Sequence, residues 1–161
     1  GCDVVFTPSI KEIYPNGLPT KVYDFGVLDK VMEGAGRPGH FNGVAMVVSR
    51  LFEIIQPQKA YFGEKDFQQL AIIKSLAAQK FKNIEIIPCS TLREKDGLAM
   101  SSRNANLSTK ERDSAPMLYK ALCSGRRAIV NGERSATRVR NMVRATIKEK
   151  LTNQIDYHHH H

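Results

Sequence analysis

Histidine is almost missing from this chain. His40 is the only one outside the terminal run His158–His161, so a histidine-rich metal centre is excluded. The terminal four read as the remnant of an expression tag and enter neither metal nor fold arguments. Cysteine is scarce too. Cys2, Cys89 and Cys123 are odd in number, widely spaced and without a C-x-x-C pair. That pattern points to free thiols in a reducing cytoplasm, with nothing to favour a catalytic thiol. No apolar run reaches the ~18 residues needed to cross a bilayer, so no membrane is expected among the partners. The chain opens with no signal-peptide pattern, and it holds no internal repeat or low-complexity stretch. A full glycine fingerprint is also missing, as is a nucleophile–base pair.

What is present describes an ordinary soluble globular protein: 161 residues, 42% hydrophobic and 25% charged. That length buries one good core, or one domain with a small appendage. The net charge of +8 is uneven. Residues 1–95 carry 12 Lys and Arg against 10 Asp and Glu, whereas residues 96–161 carry 12 against 6. A basic segment suits an anionic partner such as a nucleotide, a nucleic acid or a membrane surface, and equally a solvated helix surface. Tyr119 is the only aromatic residue of the basic half before Tyr157. Without interleaved aromatics a nucleic-acid interface is not expected.

Several segments signal their own structure. Asp3–Phe6 reads as a strand already under way. Pro8–Asn16 reads as a loop or short helix leading to a turn at Pro15-Asn16-Gly17. Lys21–Phe25 alternates as a strand would, and Asp29–Glu33 suits a short helix. The glycine-rich run Gly34–His40 argues against regular structure, and Arg37 and His40 suit loop anchoring. Asn42 suits the N-cap of a helix from about Gly43 to Ile55. Val44, Val47, Val48, Leu51, Phe52 and Ile55 recur there at helical spacing on one face.

Lys59–Phe62 reads as a strand, about Asp66 to Lys80 as a helix with Leu70, Ile72, Ile73 and Leu76 apolar, and Ile84–Pro88 as the next strand. Strand, helix, strand predicts a right-handed parallel crossover and an α/β fold. In open parallel sheets ligands sit at the carboxyl ends of the strands. Gly63 and the residues after Ser90 fall there, which predicts one shared edge for Lys65 and the loop Ser101-Ser102-Arg103. Further on, Ser108 and Glu111 suit a capping box for a helix to about Val130, with Pro116 and Gly125 as irregularities. Asn131-Gly132 reads as a turn. Ser135 then suits the cap of a helix to about Leu151, with Val139, Met142, Val143, Ile147 and Leu151 inward. Arg134, Arg138, Arg140 and Arg144 fall on its expected solvent face. Gln154–Tyr157 reads as the start of another strand.

The stretch with the clearest chemistry is Tyr61-Phe62-Gly63-Glu64-Lys65-Asp66-Phe67-Gln68-Gln69-Leu70. A glycine between strand and helix lets backbone approach a ligand closely. Unpaired N–H groups at a helix start favour negative charge, which makes phosphate a natural guest. Lys65 adds a full positive charge. Asp66 and Gln69 equally suit a capping box. A second segment, Lys95-Asp96-Gly97-Leu98-Ala99-Met100-Ser101-Ser102-Arg103-Asn104, places two hydroxyls beside a guanidinium able to fork onto phosphate oxygens. It equally suits a helix-capping loop.

Taken with Gly34–Gly43, these segments resemble the pantothenate synthetase family. EIYPNG, EGAGRPGHFNGV, YFGEKDFQQLAIIK and DGLAMSSRNANLS stand in the family's order and spacing, and the likeness runs from Gly1 to about Tyr157. It implies an α/β fold: a partial Rossmann-like nucleotidyltransferase parallel sheet with helices, followed by a small, mainly helical, truncated C-terminal domain. Residues 1–91 would be the C-terminal half of the nucleotide-binding domain, 92–157 part of a lid domain, and 158–161 the tag remnant. The family's upstream HIGH-like signature and a pantoate-binding glutamine have no counterpart here, so the chain alone is expected to be inactive or feeble.

The resemblance also implies chemistry. Pantoate and β-alanine would be joined at the expense of ATP, with Mg²⁺, through a pantoyl adenylate, in a cytoplasmic homodimer. Lys65, Arg103, Ser101 and Ser102 would be catalytic. Gly63, Glu64, Lys65, Asp66, Leu92, Met100, Ser101, Ser102 and Arg103 would bind ATP. Gln69 with Val44, Val47 and Val48 would hold pantoate. Another adenylyl-transferring enzyme of the nucleotidyltransferase superfamily is the alternative, and the pantoate-facing residues discriminate the two.

Overall fold

A computed structural model describes residues 1–150, with side chains through 148. They divide into two compact units, one over Gly1–Ser90 and one beginning at Thr91.

The first unit is built on a parallel strand–helix–strand element. Strand β1 (Lys59–Gly63) and strand β2 (Glu85–Cys89) pair in parallel with Lys59 opposite Glu85 and Gly63 opposite Cys89. Helix α4 (Phe67–Lys80) joins them. Its apolar Leu70, Ile72, Ile73 and Leu76 are all buried. Parallel strands cannot be joined by a tight turn, so a helix that covers one face is the economical connection. Against it lies helix α3 (His40–Ile55). Phe41, Ala45 and Phe52 of α3 join Ile72, Ile73 and Leu76 in one core, with Tyr23 and Phe25 added from the preceding segment. Phe52 meets Phe81 edge-on with centroids 5.4 Å apart, a favoured aromatic arrangement.

The earlier part of this unit differs from expectation. Asp3–Phe6 and Lys21–Phe25 are not strands. A strand must satisfy its N–H and C=O groups on a neighbour, and among the described residues neither segment has one. Asn42 takes that role for Lys21–Tyr23: its Oδ1 accepts from the Tyr23 N–H at 2.9 Å and its Nδ2 donates to the Lys21 carbonyl at 3.1 Å. Asn42 is therefore not a cap, and α3 begins earlier, behind a left-handed Gly39. The face of α3 is rotated as well. Its fully buried side is Phe41, Ala45, Ser49 and Phe52, whereas Val44 and Val48 are half-buried and Val47 and Ile55 exposed. Ser49 is accepted inside because it bonds the buried Tyr23 hydroxyl at 2.9 Å.

Helix α1 (Ile10–Ile13) is a single turn held by a Ser9–Glu12 capping box. The short helix expected over Asp29–Glu33 lies later, as α2 (Glu33–Gly36). The glycine-rich run is therefore partly regular, helical at Gly34–Gly36 and again from His40.

The second unit is mainly helical. Helix α5 (Thr109–Ser114) carries the expected Ser108–Glu111 capping box. The single helix expected through Val130 is two, since α6 (Met117–Val130) starts anew behind Pro116. Proline has no N–H and its ring clashes with the carbonyl four residues back, but it suits a helix start. Gly125 causes no break. It is buried, and a Cβ there would stand 2.7 Å from Cγ2 of Val143, so it lets α6 and α7 (Ala136–Lys150) approach closely. The Ser135 hydroxyl accepts from the Arg138 N–H as a cap. Val139, Val143 and Ile147 are half-buried, but Met142 is exposed, and Arg140 and Arg144 are half-buried rather than solvent-facing. The readings for Leu151 and Gln154–Tyr157 lie outside the described residues.

Candidate active site

Because Gly63 and Cys89 are partners in a parallel pair, both strands of the first unit leave the sheet at one edge. At that edge the chain passes from Gly63 into a 3-10 turn, Glu64–Asp66, and then into α4. Glu64, Lys65 and Asp66 are all exposed. A Cβ on Gly63 would meet nothing within 4 Å, so its backbone faces open space. Neither Gly63 nor Asp66 supplies a side-chain cap. The Asp66–Gln69 capping box is thus not formed, and the Asp66 carboxylate is not spent on its own helix. A helix start without a side-chain acceptor retains its attraction for an anion.

Gln69 is half-buried on the next turn. Its neighbour Gln68 escaped the sequence reading. Only 7% of Gln68 is exposed. Its Nε2 donates to the Leu28 and Val31 carbonyls at 2.6 and 2.7 Å, and its Oε1 accepts from the Glu33 N–H at 3.0 Å. The signal was present: Gln68, Ile72 and Leu76 share one i, i+4, i+8 stripe, so the glutamine had to point inward. The glycine-rich stretch that follows Glu33 is held by an Arg37–Glu33 ion pair. His40 lies against the Phe41 ring with centroids 5.0 Å apart.

The second unit presents the other candidate residues. Leu92–Met100 is a small hairpin that the sequence reading missed. The Glu94 N–H donates to Leu98 O and the Met100 N–H to Leu92 O, and Arg93 pairs antiparallel with Ala99. Gly97 turns it at φ +98°. The hairpin is pinned on α5 and α6: the Arg93 guanidinium lies 3.8 Å from the centroid of the Tyr119 ring, and Asp96 pairs with Arg112. Ser101 follows in extended backbone, and its Oγ accepts from the Arg103 N–H at 3.3 Å. It therefore does cap the 3-10 turn Ser102–Asn106, while its own O–H stays a donor. Asn104 donates to the Ala99 carbonyl at 3.0 Å and closes the loop onto the hairpin. Ser102 and Arg103 are exposed, as are Leu92 and Met100.

Three carboxylates of this unit, Asp96, Glu111 and Glu133, are held below their usual range, Glu133 chiefly by the Ser135 N–H. The Arg112 guanidinium, then the Leu98 N–H, hold Asp96 below the usual range. The Ser108 hydroxyl and N–H do the same for Glu111. A depressed folded-state pKa contributes stability above the unfolded value, near 4, that is lost as pH falls through the folded value. The stability of the chain should therefore fall on acidification toward pH 3. An Asp96→Asn, Glu111→Gln double variant should lose less between pH 7 and pH 3 than wild type, as read by thermal melting. Equal acid sensitivity of the two would remove Asp96 and Glu111 from the explanation.

A parallel strand–helix–strand element with its strands leaving at one edge marks an α/β protein. The chain belongs to the pantoate-β-alanine ligase family, whose model matches residues 1–160. It is 51% identical to the pantothenate synthetase of Aquifex aeolicus over 148 residues, 92% of this chain and 52% of that protein. It is 49% identical to that of Caldicellulosiruptor saccharolyticus, over 98% of this chain and 56% of the relative. A crystal structure of pantothenate synthetase from Thermus thermophilus superposes with a TM-score of 0.91 at 43% identity, over 98% of this chain and 56% of that one. The Francisella tularensis pantoate-beta-alanine ligase, complexed with beta-gamma ATP and beta-alanine, gives 0.65 at 35% identity, over 84% and 50%. The chain spans about half the length of the relatives it matches.

Proposed function

We propose that this chain serves, as part of a longer enzyme, in the ATP-dependent condensation of pantoate with β-alanine to pantothenate. The observation that carries the reading is the uncapped turn Gly63–Asp66 in a chain of this family. The proposed setting is the cytoplasm, and the proposed assembly a homodimer.

The chemistry would run in two steps. A pantoate carboxylate oxygen bonds to the α-phosphorus of ATP as the bond to pyrophosphate breaks. The β-alanine amine then bonds to the acyl carbon of the adenylate, AMP leaves, and the amine gives up a proton. Negative charge builds on the α-phosphoryl group in the first step, so fixed positive groups help most there. Lys65 and Arg103 are the proposed cations. Ser101 and Ser102 are proposed donors, Ser101 through its O–H. Gly63 and Glu64 would bind phosphate by backbone, and Asp66, unspent as a cap, would accept from ribose hydroxyls. Leu92 and Met100, both exposed, suit a flat apolar ring such as adenine. Gln69 would bind pantoate, and the valines of α3, exposed Val47 with half-buried Val44 and Val48, would receive its methyl groups.

Among the described residues no three His, Cys, Asp or Glu side chains gather as a metal cage. Mg²⁺ would be carried mainly on ATP phosphates with its own waters, as is usual for this ion, where it would neutralise phosphate charge. The remaining catalysis is positioning.

The test is ATP–pyrophosphate exchange by the full-length enzyme. Exchange should require pantoate. Exchange without it, or equally with unrelated carboxylates, would sink the reading in favour of another adenylyl-transferring activity. The 161-residue chain alone should show no turnover, and isothermal titration with ATP would show whether it holds nucleotide unaided.

A further inference from the structure

Among the described residues only two polar side chains are buried, Ser49 and Gln68. Ser49 serves the core by bonding Tyr23. Gln68 does something different. All three of its bonds leave α4 for a segment 35 to 40 residues earlier, and that segment is irregular from Gly26 to Met32.

The bonds bracket one strained residue. Met32 has φ +51° and ψ −126°, and the Gly34 N–H bonds the Val31 carbonyl at 2.9 Å. This is a type II′ turn with methionine at the position that favours glycine. Gln68 takes the carbonyl just before Met32, from Val31, and the N–H just after it, from Glu33. Strain of this kind persists only where the surroundings over-determine the backbone, and it gathers at binding sites. Directly after the turn come α2, the loop to Gly39 and the valine-bearing start of α3. On the other side of the clamp stands Gln69, one residue away.

We propose that Gln68 is a positioning residue for the hydroxy-acid substrate. Its amide holds the Met32 turn, and through it the Glu33–Gly39 loop, in fixed relation to Gln69 and the start of α4. The inference rests on the functional reading above, with pantoate as that substrate. The adjacent glutamines divide the work: Gln69 binds, and Gln68 fixes the loop. A merely structural glutamine would protect all substrates alike, whereas this one protects pantoate.

The experiment uses the full-length enzyme with Gln68→Met, which keeps volume but loses all three bonds, and Gln68→Glu, which turns a carboxylate toward two carbonyls. Both should raise KM for pantoate at least about tenfold, with KM for ATP within about twofold of wild type, a selective loss of substrate binding. Adding Met32→Gly to Gln68→Met should restore KM for pantoate toward wild type, because glycine adopts the turn without help. An unchanged KM for pantoate in a folded variant, or an equal rise for both substrates, overturns the proposal. So does a Gln68→Met enzyme that fails to fold and is not recovered by Met32→Gly, since the clamp then serves the fold alone. Wild-type enzyme without pantoate-dependent exchange would sink the functional reading first, independently of any Gln68 variant.

Discussion

Lys65→Ala in the full-length enzyme is expected to slow adenylate formation at least about 100-fold, roughly 3 kcal/mol of transition-state stabilisation. The magnitude follows from where charge changes. Pantoate and ATP are both anions, and the α-phosphoryl oxygens gain negative charge as the carboxylate attacks. Lys65 sits in the exposed 3-10 turn between Gly63 and α4, where the helix start already favours an anion. An ammonium there would act with those N–H groups on one centre. Lys74, exposed on α4, is the control, and Lys74→Ala should leave the rate within about twofold, as expected of a cation remote from the reacting atoms. Single-turnover measurement of adenylate isolates the step from product release. A loss below tenfold would take Lys65 out of this role.

How much of this was legible in the sequence depends on whether the deciding partner is near in the chain. The β1–α4–β2 element was legible because strand, helix and strand follow one another within a short stretch, and its apolar Ile72, Ile73 and Leu76 are buried. The Ser108–Glu111 box was legible because both members lie within one turn. Lys21–Phe25 was misread because alternation alone does not make a strand, and its backbone bonds go to Asn42. The same fact removed Asn42 from its expected cap. Asp66–Gln69 was the reverse case: the box had the right spacing, but Asp66 follows a 3-10 turn and stands at φ −95°, ψ 62° rather than in the extended backbone of a cap. At the candidate site the residue types were visible while their support was not. Gln68 drew no reading of its own, because its partners lie 35 to 40 residues away. Likewise the hairpin beneath Ser101–Arg103 depends on Tyr119 and Arg112, both on later helices.

Gly34 is a position of the first unit where a side chain would meet backbone. Its φ is unremarkable, so the need for glycine is one of space. A Cβ on Gly34 would stand 2.3 Å from the carbonyl oxygen of Asp29 and 2.6 Å from its carbonyl carbon. Backbone cannot rotate aside as a side-chain end can, so the turn that Gln68 clamps would have to open. Gly34→Ala is therefore expected to destabilise the chain by about 3 kcal/mol, the upper end for forced overpacking. In a unit of this size that lowers the melting temperature by roughly 10 °C or more. Gly36→Ala is the matched control, since it lies in the same helical turn and its Cβ would meet nothing within 4 Å. It should stay within about 0.5 kcal/mol of wild type, the usual range for an exposed position. Urea unfolding of the three proteins in parallel separates the cases, with a lower midpoint at unchanged slope for Gly34→Ala alone. Equal midpoints for the two variants would mean that Asp29 and Gly34 are not in contact. The turn would then owe its shape to Gln68 without help from the glycine.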